Sequence, residues 1–198
     1  MKTTMQISEV NDSQAIDTAR SLRVLYFTRT SFSILWVILV SFFGRKSSSV
    51  ASVLLIIYPI WDVIGTILDI RANRNNNTSK TPQYVNIVIS TLTALVFAYT
   101  LRQGIVLTLI AFGAWAILTG LIQFILGLRR KRTMEGQWPM IVSGAQSMIG
   151  GAVNIILAHN TAKGIPGLAT YVAFGAFYFL LAAIRLNKTI KAAPSHAY

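Results

Sequence analysis

The chain contains no cysteine, so neither a disulfide, nor thiolate catalysis, nor a cysteine-held metal is open to it. Acidic residues are scarce, six Asp and Glu against 18 Lys and Arg in 198 residues. Charged residues of both signs reach only 12%, about half of the roughly 25% usual in a soluble domain. The two histidines, His159 and His196, stand far apart, and no HExxH, GxSxG, phosphate-loop or dinucleotide motif occurs. Together these absences point to a chain that is not an enzyme and needs no cofactor or metal. The net charge of +12 arrives without a recognition motif, so nucleic acid is not expected as a partner.

What is abundant is apolar sequence, 54% of the chain. Six windows, 26–43, 50–70, 84–101, 104–128, 138–158 and 165–186, each meet the roughly 17 to 25 residues that cross a bilayer as a helix. The expected fold is an all-α integral membrane protein with six transmembrane helices. Residues 1–24 hold Glu9, Asp12 and Asp17, and the apolar run after them ends in Ser41-Phe42-Phe43-Gly44-Arg45 without an A-x-A pattern. The first span is therefore expected to stay uncleaved. Residues 1–22 read as a cytoplasmic segment, loose to residue 12 and then a surface-lying helical lead-in capped by Asp12 or Ser13. The membrane domain covers 23–187, and 188–198 form a tail.

Loop lengths alternate. Gly44 to Ser49, Arg102-Gln103-Gly104 and His159 to Gly164 are short turns, whereas 71–83 and 129–137 are longer and polar. The N-terminal segment, the two longer loops and the tail hold 14 of the 18 basic residues, against four on the opposite side, Arg45, Lys46, Arg102 and Lys163. By the positive-inside rule both termini are cytoplasmic. The spans then pair as three hairpins of one orientation, 26–70, 84–128 and 138–186. Trp61, Trp115 and Phe177 fall in register, preceded three residues earlier by Tyr58, Phe112 and Phe174, which reads as a parallel repeat. Ser143, Ser147 and Gly151, and likewise Ala116 and Gly120, lie four apart as small-residue packing faces. Tyr84, Tyr99 and Trp138 near span ends suit interfacial anchors.

The most informative stretch is Tyr58-Pro59-Ile60-Trp61-Asp62, because it sets a carboxylate inside an apolar run. At 1.5 Å per residue, Asp62 lies roughly 18 Å from the outer start of its span and Arg29 roughly 21 Å from the outer end of the first. A buried Arg29–Asp62 ion pair follows. Gln123 and Gln146 are expected to join it, with Tyr58, Pro59, Trp61, Asp69, Asn86 and Arg185 flanking. Asp69 is expected near the headgroups, paired with Arg71, Arg74 or Arg185. Pro59 frees a carbonyl near Leu55 and is a candidate kink. Arg129, Arg130, Lys131 and Arg132 read as a topology signal that could also bind anionic lipids.

Leu25-Tyr26-Phe27-Thr28-Arg29, Tyr58-Pro59-Ile60-Trp61-Asp62, Phe112-Gly113-Ala114-Trp115, Ser143-Gly144-Ala145-Gln146-Ser147 and Ala173-Phe174-Gly175-Ala176-Phe177-Tyr178 together resemble the bacterial HdeD-like membrane proteins. That family is built from a short two-helix repeat of unknown function, and the likeness is to its YPxWD branch, over roughly residues 22–186. The resemblance implies a six-helix inner-membrane protein and, for the founding member, an association with acid resistance. It carries over no active site. The function expected is non-enzymatic, in acid or envelope stress tolerance. The alternatives are a small-solute or proton transporter or channel using the Arg29/Asp62 cluster, and a membrane scaffold or lipid-interacting protein. A homo-oligomer is left open.

Overall fold

Continuous apolar runs interrupted by Gly, Pro and Asn favour long helices with abrupt ends. The computed structural model describes residues 2–74, 79–132, 137–160, 162 and 164–192, with side chains from Ile16 to Asn187 and at Ile190 within those ranges. Among these residues there are helices and no strands: α1 (Lys2–Phe43), α2 (Ser48–Ala72), α3 (Thr81–Gln103), α4 (Ile105–Lys131), α5 (Trp138–Ile156) and α6 (Leu168–Ala192). A 3₁₀ turn, Ile165–Gly167, precedes α6. Each of the six helices has a stretch long and apolar enough to cross a membrane.

The ends follow local chemistry. Ser47 caps α2, its hydroxyl accepting from the Val50 N–H at 3.3 Å. Gly104 alone separates α3 from α4, at φ 131°, a conformation open to glycine. Pro82 and Pro139 occupy first turns, where a missing N–H costs nothing. Pro59 lies inside α2, which continues through it. It offers no N–H to the Leu55 carbonyl, and one residue earlier the Trp36 indole donates to the Leu54 carbonyl at 2.7 Å, tying α1 to α2. Residues 75–78 and 133–136, in the two longer loops, lie outside the described residues.

Each helix packs on its neighbours in sequence, and α6 returns to α1, so the six helices close into a ring. The most extensive contacts are α4 with α5 and α1 with α6. Both lie between the expected hairpins, so hairpins describe the connections and not the packing. The cause on the α4–α5 side is a glycine seam of period seven. A Cβ on Gly113 would strike the Gly151 carbonyl, one on Gly120 would stand 2.7 Å from Ser147 Cβ, and one on Gly127 would stand 2.9 Å from Ile141. Gly144 is as close, 2.6 Å from the Phe124 nitrogen. Small-residue packing was legible, but the seam is a Gly113/Gly120/Gly127 face meeting Gly144 and Gly151, with Ser143 turned elsewhere.

On the α1–α6 side Ala19, Leu22, Leu25 and Tyr26 are buried with Ala182, Ala183 and Leu186. The lead-in therefore corrects the expectation of a surface-lying helix. Its residues 19 and 22 are core, and α1 runs unbroken from Lys2. Arg23 donates to the Asn187 side chain at 2.8 Å along the same seam. The repeat also breaks in α6. Tyr171, Gly175 and Phe179, four apart, form its inner face. Phe177 is two residues, about 200° of turn, from Gly175 and from Phe179, and it points outward.

Candidate functional site

The ring encloses a cavity of about 110 Å³ to which all six helices contribute. Its floor of charge comes from α2, where Asp62 and Asp69 are seven residues, two turns, apart and so share one face, about 10 Å apart along the axis. Each carboxylate meets an arginine from a different helix. Arg29 of α1 donates to Asp62 Oδ1 at 2.9 Å, and Arg130 of α4 donates to Asp69 Oδ2.

Asp62 is the more elaborately held. Its other oxygen accepts from Asn86 Nδ2 at 2.6 Å and from Ser90 Oγ at 2.8 Å, both on α3. Ser90 in turn accepts from the Trp115 indole of α4 at 2.9 Å. Thr66 accepts from Asn86 at 2.8 Å and returns its own proton to the Asp62 carbonyl. An ion pair removed from water must satisfy its remaining lone pairs to be tolerated, and here Asn86 and Ser90 donate to the carboxylate oxygen that Arg29 leaves free. The Arg29 guanidinium lies 5.3 Å from the Phe179 ring centroid, a cation–π contact. It fits against α2 because residue 65 is glycine: a Cβ there would stand 2.7 Å from Arg29 Nη2.

The second pair corrects the reading of Asp69 as a solvated group near headgroups. Asp69 is 6% exposed and Arg130 8%. Gln83 Nε2 also donates to Asp69 at 3.3 Å, and Arg130 Nη1 donates to the Tyr26 hydroxyl at 3.1 Å. Arg71, Arg74 and Arg185 are not its partners. Arg185 is exposed and lies over the Trp138 ring at 5.6 Å. Within the basic run, Arg129, Lys131 and Arg132 are exposed while Arg130 turns inward, because position 130 continues the inner face of α4 set by Thr119, Gln123 and Leu126.

Toward the short-turn end the cavity is roofed by rings. Tyr58 meets Trp115 edge-on at 5.6 Å and Trp36 at 4.9 Å, and Phe112 meets Tyr171 edge-on at 5.3 Å. Above Tyr58 and Tyr171, Trp36, Leu55, Phe97 and Phe112 are fully buried and separate the cavity from a second, more open hollow of about 290 Å³ beside Gly44, Ala51, Thr108 and Ile165.

Of the residues expected at the site, the structure brings Arg29, Tyr58, Trp61, Asp62, Asp69, Asn86 and Gln123 to the cavity wall. Gln123 makes only a long contact to the Met140 sulfur, 4.0 Å. Pro59 is buried and does not line it. Gln146 is not brought there either. The inner face of α5 is Met140, Ser143 and Ser147, and the Gln146 carbonyl oxygen is buried away from the cavity with no partner among the described residues. Sequence reasoning missed Gln83, Ser90, Thr66 and Arg130. A signal existed: Gln83, Asn86 and Ser90 follow the i, i+3, i+7 spacing of one helix face.

Among the described residues no cluster of His, Asp and Glu could hold a metal ion. No curated protein and no solved structure matches the chain. A family model described as "Short repeat of unknown function (DUF308)" matches residues 85–156, from α3 through α5, to which this chain is therefore similar over less than half its length.

Proposed function

We propose that this chain is a non-enzymatic multi-pass protein of the bacterial cytoplasmic membrane, with both termini inside. Its helix ring holds an internal site for a small solute. The observation that carries the reading is the cavity itself: six helices, each apolar enough to cross a membrane, converge their polar residues on one shared space. A scaffold needs no such space, and polar groups serving only as interhelical glue need not surround a void. Isolated charges at membrane depth cost at least about 2.5 to 3.5 kcal/mol each, and such groups commonly mark solute paths. The family match over 85–156 supports a membrane protein of unknown function, and the likeness to HdeD-like proteins suggests acid or envelope stress as the setting in which the solute is bound or moved. Exposed Arg129, Lys131 and Arg132 suit anionic lipid headgroups, whereas Arg130 is spent on Asp69.

The test uses the absence of cysteine. In nanodiscs, Thr119→Cys on the cavity wall should react with a small water-soluble methanethiosulfonate reagent, with Ser147→Cys as a second wall position. Phe174→Cys, whose side chain is exposed on the outer surface of the ring, is the apolar blank. Modification at both wall positions well above the blank supports a wet site. Wall positions no more reactive than the blank would mean a dry, structural core and leave the scaffold reading.

A further inference from the structure

The walls of the cavity carry two arginines and two aspartates and no other charged residue. Both pairs are internal: Arg29 with Asp62 and Arg130 with Asp69. The lining is thus electrically neutral, and an ion entering alone would find no countercharge that is not already engaged. Removing an ion from water costs several kcal/mol unless it is paired. What the walls do leave open is neutral hydrogen bonding. The Trp61 indole N–H is buried on the cavity wall with no partner among the described residues. Gln83 is 4% exposed, and its Oε1 likewise has none. The orientation of that amide is fixed, because its NH₂ must face the Asp69 carboxylate. Each unpaired buried polar group costs about 1 to 3 kcal/mol until something satisfies it. One is a donor at the level of Asp62 and the other an acceptor at the level of Asp69, with an aromatic roof of Tyr58, Trp115 and Tyr171 nearby.

Resting on the reading of the cavity as a solute site, we infer that its ligand is a small uncharged solute with both donor and acceptor groups, of the amide or polyol class, which accepts from Trp61 at one station and donates to Gln83 at the other. Such a molecule satisfies either station without disturbing an ion pair. An anion or cation must break one.

The experiment reads protection of Thr119→Cys from the thiol reagent in nanodiscs, with acetamide and glycerol as neutral probes. Sodium acetate, ammonium chloride and glycine serve as the anionic, cationic and zwitterionic probes at equal osmolarity. The neutral probes should slow modification and the charged ones should not. Trp61→Phe, which keeps an aromatic ring and removes the N–H, should weaken that protection about fivefold, the equivalent of one hydrogen bond of about 1 kcal/mol. Gln83→Met should weaken it similarly, with unfolding temperatures confirming that both variants are folded. Protection by a charged or zwitterionic probe and not by the neutral ones overturns the inference while the wet site stands, and so does neutral protection that is indifferent to both substitutions. Modification that no probe slows also overturns it. Absence of modification sinks the solute site itself, a separate outcome read before any probe is added.

Discussion

Asp62 and Arg29 were legible as a pair because depth alone sufficed: two antiparallel helices joined by a short turn must place residues of equal depth side by side. Asp69 and Arg130 were not, since their partnership spans 61 residues and Arg130 hides in a run of four basic residues whose other members are exposed. Helical phase supplies the missing step. If Asp62 faces inward, Asp69, two turns on, does so too, and the same spacing leads from Gln123 to Arg130. A carboxylate held by two neutral donors and one guanidinium acts as a unit, so its parts should not be additive. Asp62→Asn and Arg29→Gln are each expected to lower unfolding stability by about 3 kcal/mol, because each strands a buried charge or its donors. The double variant should lose clearly less than the sum. Thermal or denaturant unfolding in micelles measures the cycle, and strict additivity would mean the two side chains are independent.

At the level of elements, six apolar windows predicted six helices, and the turns at Ser47 and Gly104 fall where the sequence places them. Neighbour choice was less legible. A short turn guarantees that two helices are adjacent but not that their faces interlock; close approach is decided by where side chains are missing. On α4 that is Gly113, Gly120 and Gly127, a seven-residue period that places all three on one stripe facing Gly144 and Gly151. Gly120→Val sets two methyl groups against the Gly144 carbonyl and Ser147 Cβ, and a cost of about 1 to 3 kcal/mol or more is expected from overpacking alone. Gly175→Ala on α6 meets nothing within 4 Å, and its effect on stability should stay within about 1 kcal/mol, favoured by alanine's helix propensity. Unfolding midpoints of the two variants, compared side by side, separate a close-packed seam from a general intolerance of added bulk.

For the molecule as a whole, the ring has two unlike ends. At one, the cavity reaches the level of Asp69, Gln83 and Arg130, near exposed Arg71, Arg74, Arg129, Lys131 and Arg132. At the other, the layer of Trp36, Leu55, Phe97 and Phe112 lies between the cavity and the outer hollow, about 10 Å thick judged by the seven residues from Ala51 to Tyr58 on α2. The polar site is closed by rings on one side and bordered by basic residues on the other, and the orientation proposed above from the charge bias of 14 to four puts the basic end in the cytoplasm. Ser79, ahead of α3, and Ser49, in the first turn of α2, are both exposed and lie at opposite ends. In intact cells a membrane-impermeant maleimide should modify Ser49→Cys and leave Ser79→Cys untouched until the membrane is permeabilised. With no native cysteine to add background, the opposite pattern would invert the molecule, put the basic end outside, and require the cavity to be approached from the envelope side rather than from the cytoplasm.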